Sequence, residues 1–169
     1  TVRLRAPWLL VNVATALVAS FVIAQFEGTI EKIVVLAALM PIVASMGGNA
    51  GIQTVTVTVR ALAMGELTAA NALRFIAKEA AVGSMNGLMF AIILAAGVVV
   101  LFGDWRLGGV IAAAMICNLF AAALAGSLIP LGLQKFGVDP AVSSTVFLTM
   151  VTDVIGFLTF LGLATIFLL

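Results

Sequence analysis

The chain has 169 residues, 64% of them hydrophobic and 9% charged, with a formal net charge of +1 and a mean hydropathy of +1.31. Soluble domains carry about 25% charged residues, so the deficit places the chain in a bilayer, and the near-zero net charge gives no footing for nucleic acid or an acidic partner. The lack of His excludes imidazole ligation and histidine proton relays, and Cys117, alone in an apolar run, excludes an intramolecular disulfide and reads as a small buried hydrophobe.

Cutting at charges and turn residues gives five apolar spans, each near or above the ~20 residues needed to cross. The first runs from Trp8 to Phe26 and ends in the charged turn Glu27–Lys32. The second is Ile33 to Val59. The third follows the polar stretch Arg60–Lys78 and continues to Phe102. "GDWRLGG" (Gly103–Gly109) reads as a turn with Trp105 as an interfacial anchor. The fourth span is Val110 to Leu133, and "QKFGVDP" leads to the fifth, Val142 to Leu169.

Five crossings put the termini on opposite sides. Arg3, Arg5, Arg60, Arg74, Lys78 and Lys135 share the N-terminal side, against Lys32 and Arg106 on the other. That asymmetry predicts a multi-pass plasma-membrane protein with a cytoplasmic N-terminus and an extracytoplasmic C-terminus. The first span is too long for a signal peptide. Thr1, in place of an initiator Met, suggests a piece whose preceding cytoplasmic part is missing.

"MGGNAGIQTVTVTVR" (Met46–Arg60) has the Val/Thr alternation of a strand. A lone strand in hydrocarbon would leave unpaired backbone groups, each costing several kcal/mol, so helix is expected. Thr hydroxyls fit such a helix by bonding to the i−4 carbonyl. Asn49, Gln53, Thr56 and Arg60 then form one polar stripe, and Gly47 and Gly51 a face for close approach. Two readings follow. Either the glycines pack and the amides bond between helices, or Pro41 and the pair Gly47–Gly48 loosen the helix and aim polar groups at a water-filled path.

Asp153 lies about thirteen residues into the last span, roughly 20 Å along a helix. A carboxylate at that depth costs ~2.5–3.5 kcal/mol or more, and no Lys or Arg lies at a comparable depth. It must be protonated, hydrated or bound to a cation. Thr145, Thr149, Thr152, Gly156 and Thr159 form a hydroxyl stripe beside it, with Phe147, Leu148, Ile155 and Phe157 covering other parts of the helix surface. One carboxylate without a Cys cluster or His suits a hard cation that keeps its waters, such as Mg²⁺, and a two-fold dimer would bring two carboxylates to one ion. A protonated Asp used only as a helix–helix hydrogen bond is the alternative.

"PIVASMGGNAGIQTVTVTVRAL" (Pro41–Leu62), "KEAAVGSMNG" (Lys78–Gly87), "CNLFAAALAGSLIP" (Cys117–Pro130) and "GVDPAVSSTVFLTMVTDVIGFLTFLGLA" (Gly137–Ala164) resemble, in order, the membrane domain of the MgtE family of magnesium channels. The resemblance implies an all-α integral membrane fold, a homodimer of five-helix protomers with a pore on the two-fold axis. It implies that Asp153 binds hydrated Mg²⁺, that the Thr149 backbone faces the ion's waters, and that Gly47, Gly48 and Asn49 flank the pore. The family's cytoplasmic N-terminal domain and CBS pair have no counterpart in residues 1–169, and the resemblance makes "TVRLR" (Thr1–Arg5) the end of the family's connecting helix. "SST" (Ser143–Thr145) stands where the family often has Asn at the cytoplasmic mouth, and Thr54 where it often has Ser.

Residues 1–169 are thus expected to be a pore domain, with Asp153 and Thr149 at the ion and Thr152, Thr145, Gly47, Gly48, Asn49 and Gln53 lining or supporting the path. No enzyme is expected, since nucleophile–base pairs and phosphate loops are lacking. A proton- or sodium-coupled divalent cation transporter in which Asp153 titrates is one alternative, and a structural membrane subunit is another. Glu79 beside Lys78 reads as a solvated or snorkelling pair, alternatively as a cation attractor at the inner mouth. Glu27, Glu31 and Asp104 would raise the cation concentration on the outer side. Gly83–Gly87 and Ala122–Gly126 read as packing faces.

Overall fold

Inside hydrocarbon a peptide group finds no water to bond, so a chain of long apolar runs closes its hydrogen bonds within helices. The computed structural model describes Val2–Leu169, with side chains from Ala6 onward. Thr1 and the side chains of Arg3 and Arg5, part of the charge count above, lie outside the described residues. Six helices follow in order: α1 (Val2–Ala24), α2 (Glu27–Lys32), α3 (Val35–Ala63), α4 (Ala72–Phe102), α5 (Trp105–Lys135) and α6 (Pro140–Leu168). Five of them, all but α2, are long and apolar enough to cross a membrane.

The boundaries differ from the sequence expectation in three places. Glu27–Lys32 is a short helix rather than a plain turn, and the Thr29 and Thr165 hydroxyls bond at 2.8 Å to tie it to the end of α6. α4 begins at Ala72, within the stretch read as polar, because Arg74, Lys78 and Glu79 sit in its first turns. Gly103–Asp104 alone connects α4 to α5, and Trp105 already belongs to the helix. Gly103 ends α4 at φ 70°, a left-handed conformation that costs glycine little. Asp104 starts α5 by accepting the backbone N–H groups of Arg106 (2.8 Å) and Leu107 (3.3 Å). Asp139 caps α6 through the Ala141 N–H (2.9 Å), with Pro140 in the first turn where its missing donor costs nothing.

α5 is the central helix and packs against α3, α4 and α6; α3 also packs on α6, and α1 lies against α6. Small residues at the crossings permit this. A methyl at Gly126 would come 2.7 Å from Thr54 Cβ and 2.9 Å from the Gly51 carbonyl oxygen. One at Gly51 would meet Leu148 at 2.6 Å, and one at Gly83 would overlap Ala123. Lipid tails are as apolar as leucine, so helix association in a bilayer draws on such close van der Waals contact. The Gly83–Gly87 and Ala122–Gly126 faces do pack as expected.

Cys117 is a correction: it is exposed on α5, not buried. Its neighbour Asn118 takes the inward position, and a thiol is at no disadvantage on a surface that faces lipid or another chain. Gly126→Val should lower the unfolding midpoint in detergent, with overpacking costing about 1–3 kcal/mol. Gly109→Ala, on the same helix with nothing within 4 Å of the added methyl, should be neutral or stabilising by up to ~1 kcal/mol. Equal losses from both changes would contradict the packing described.

Candidate functional site

Asp153 occupies the middle of α6 and is half-buried. Among the described residues no three His, Cys, Asp or Glu side chains gather at any point. One to two turns earlier, Thr145 and Thr149 line a groove of about 380 Å³ between α6 and α1, which Trp8, Leu9 and Asn12 enclose from the other side. The sequence reading did not single out Asn12.

The hydroxyl stripe of α6 is largely self-satisfied. Thr149 donates to the Thr145 carbonyl (2.8 Å), Thr152 to those of Leu148 (3.1 Å) and Thr149 (3.2 Å), and Thr159 to that of Ile155 (2.6 Å). Thr152 and Gly156 are buried inside the protomer, so Thr152 can support a path but does not line one. Leu148 and Phe157, read as covering other surface, are likewise turned inward. Ser143 and Ser144 are buried too, with hydroxyls that have no partner, which leaves Thr145 as the one residue of "SST" reaching a groove.

On α3 the helix prediction holds over the Val/Thr alternation. The Thr54, Thr56 and Thr58 hydroxyls bond to the carbonyls of Ala50 (3.4 Å), Ile52 (2.8 Å) and Thr54 (2.8 Å). Asn49, Gln53, Thr56 and Arg60 form an exposed stripe, while Gly47 and Gly51 are buried. The helix is continuous through Pro41 and Gly47–Gly48. Of the two readings, the loosened helix is not found: each peptide after Pro41 keeps a helical conformation, and the buried Gly47 and Gly51 serve approach to neighbouring helices, as the packing reading has it. Asn49 Nδ2 donates to Ser45 Oγ at 3.3 Å, and Gly48 has open space around it.

Gln53 lies on a second groove, about 230 Å³, between α3, α4 and α5. Its wall also carries Glu79, Asn86 and Thr54, so four polar side chains line one cleft. Glu79 is half-buried here, while Lys78 beside it is exposed. Helical spacing brings Glu79, Gly83 and Asn86 onto one face, and the small Gly83 leaves room between the other two.

The sequence reading also missed Asn118. It is fully buried, its Nδ2 donates to the Val43 carbonyl at 2.9 Å, and its Oδ1 has no partner. The quoted "CNLF" contained it, but sequence spacing alone does not say which way a lone amide faces.

Five apolar helices that bury hydroxyls and the Asn118 amide and carry a half-buried mid-helix carboxylate define a polytopic helical membrane protein. The family model MgtE, described as a divalent cation transporter, matches residues 40–163, and the chain belongs to that family, one of transporters and not of enzymes. The chain is 31% identical over 164 residues to the "Magnesium transporter MgtE" of Bacillus subtilis. It is 33% identical over 168 residues to the protein of that name from Enterococcus faecalis, and 34% over 164 residues to that from Thermus thermophilus. Each match takes in 97% of this chain but 36% of the relative, so the chain spans about a third of their length.

If the α3–α4–α5 groove holds water, then in a Cys117→Ser background Asn86→Cys should react with a charged maleimide. Ile92→Cys, on the exposed lipid-compatible face of α4, should not. Comparable labelling of both would show that the groove gives Asn86 no special access.

Proposed function

We propose that residues 1–169 form the pore domain of a homodimeric channel that conducts hydrated Mg²⁺ down its electrochemical gradient. The reading rests on Asp153, a carboxylate placed mid-helix and half-buried, and among the described residues it belongs to no cluster of three or more acidic, His or Cys side chains. Mg²⁺ sheds water reluctantly and is commonly held by one or two carboxylates with water in its other positions. Two copies of Asp153 across a two-fold axis supply such a pair, and the cation between them offsets their repulsion. Mg²⁺ is the cargo named for all three relatives, which supports it as cargo here.

In this mechanism the Thr149 backbone and the groove it shares with Thr145 hold the ion's waters on the cytoplasmic side of Asp153. Gly48 and Asn49 form wall on α3, backed by Gly47, while Gln53 and Thr152 support it. With the N-terminus in the cytoplasm, the inside-negative potential draws the ion inward by ~2.3 kcal/mol per charge per 100 mV, and the divalent ion carries two charges. Cytoplasmic regulatory domains, as partners beyond this chain, would act on the pore through α1, which packs on the helix that bears Asp153.

Vesicles reconstituted with the chain and loaded with a Mg²⁺-sensitive dye should show Mg²⁺ entry, and correctly assembled Asp153→Ala protein should show none. Mg²⁺ should also protect the wild type against thermal unfolding, by ~2.7 kcal/mol at a hundredfold excess over Kd, and Asp153→Asn should weaken that protection. At fixed membrane potential, collapsing a pH gradient should leave the flux unchanged. A fall in step with the gradient would instead favour the proton-coupled transporter, and entry that persists in Asp153→Ala would remove this carboxylate from the path.

A further inference from the structure

We infer that Asn118 is a positioning residue for transport, an amide wedge that sets α3 and α6 relative to each other at the level of Asp153. The inference rests on the reading of Asp153 as the ion site. Asn118 stands on the central helix, 0% exposed, and its Nδ2 donates to the Val43 carbonyl of α3 at 2.9 Å. Among the described residues it provides one of two side-chain hydrogen bonds that join different helices; the other, Thr29 to Thr165, lies at the far end of α6.

The fit around the amide is tight from two sides. A methyl on Gly47 of α3 would come 2.8 Å from Asn118 Cγ and 2.9 Å from Oδ1. A methyl on Gly156 of α6 would come 2.7 Å from Nδ2 and 3.2 Å from Cγ. Gly47 is two residues before Asn49, and Gly156 one helical turn after Asp153. The amide is therefore clasped by the two segments proposed to face the ion, and both glycines are required for it to fit.

A packing role alone does not account for the chemistry. An apolar side chain of similar volume would fill this space without a buried carbonyl oxygen that has no partner, and such an oxygen costs about 1–3 kcal/mol. What the amide adds is a directional bond to α3, which fixes the register of that helix against α5, while its planar head fixes the spacing to α6. Displacing a binding group by 1 Å is enough to cost a large factor in its function.

The test is Mg²⁺ entry into vesicles by the wild type, Asn118→Leu and Asn118→Ser, read as half-saturating concentration, maximal flux and the ratio of Mg²⁺ to Ca²⁺ entry. Leucine keeps the volume and loses the donor; serine keeps a donor and relieves the packing. For protein that elutes as the wild-type assembly, Asn118→Leu should raise the half-saturating concentration by about tenfold or more and lower the Mg²⁺ preference, with serine closer to wild type. Folded Asn118→Leu with wild-type values on all three readouts would overturn the inference. So would equal changes in leucine and serine, or, where leucine fails to fold, a folded Asn118→Ser that alters maximal flux alone. Absence of Mg²⁺ entry in the wild type would instead refute the proposed function itself.

Discussion

The packing around α5 depends on close approach of helix backbones without help from water. In a soluble core, apolar area removed from water drives association, but helices already in lipid gain little from that source. Contact must come from surfaces that fit. Gly83 and Gly87 let α4 lie on α5, Gly51 and Gly126 bring α3 to it and to Leu148 of α6, and Gly47 and Gly156 open the space that the Asn118 amide fills. Each of these glycines gives up helix propensity relative to alanine, by roughly 0.8–1.0 kcal/mol, for proximity that alanine would block.

The same constraint sorts the polar groups into two kinds. Most hydroxyls are spent on the carbonyl one turn back, so threonine-rich stretches of α3 and α6 are electrically quiet despite their composition. The groups that keep capacity for something outside their own helix include Asp153, the Gln53–Glu79–Asn86 groove, Asn12 beside Thr145 and Thr149, and the stripe led by Asn49. Apart from Asn12 on α1, which packs on α6, they lie on α3, α4 and α6, all of which contact α5, and α5 itself contributes Asn118 from inside.

The crossings were legible in the sequence because bilayer thickness demands long apolar runs, and turning points needed only a break in them. The helical state of the Val/Thr segment was legible for a related reason, since hydrocarbon overrides β-propensity. Ends were less so. α4 starts early because Arg74 and Lys78 carry long stems that let a helix continue past the apolar region. α2 is too short to display a period. Which way a side chain faces was the hardest part to read: Thr152, Ser143 and Ser144 turned inward, Cys117 outward, and Asn118 into the center. Those directions depend on which helices become neighbours, and an apolar helix that is hydrophobic all round carries no stripe to announce them.

The two-residue join at Gly103–Asp104 has a consequence for movement. Two long helices linked so briefly, and seated along each other through Gly83, Gly87 and Gly108, have no slack to slide or splay. The pair is therefore built to move as one rigid piece.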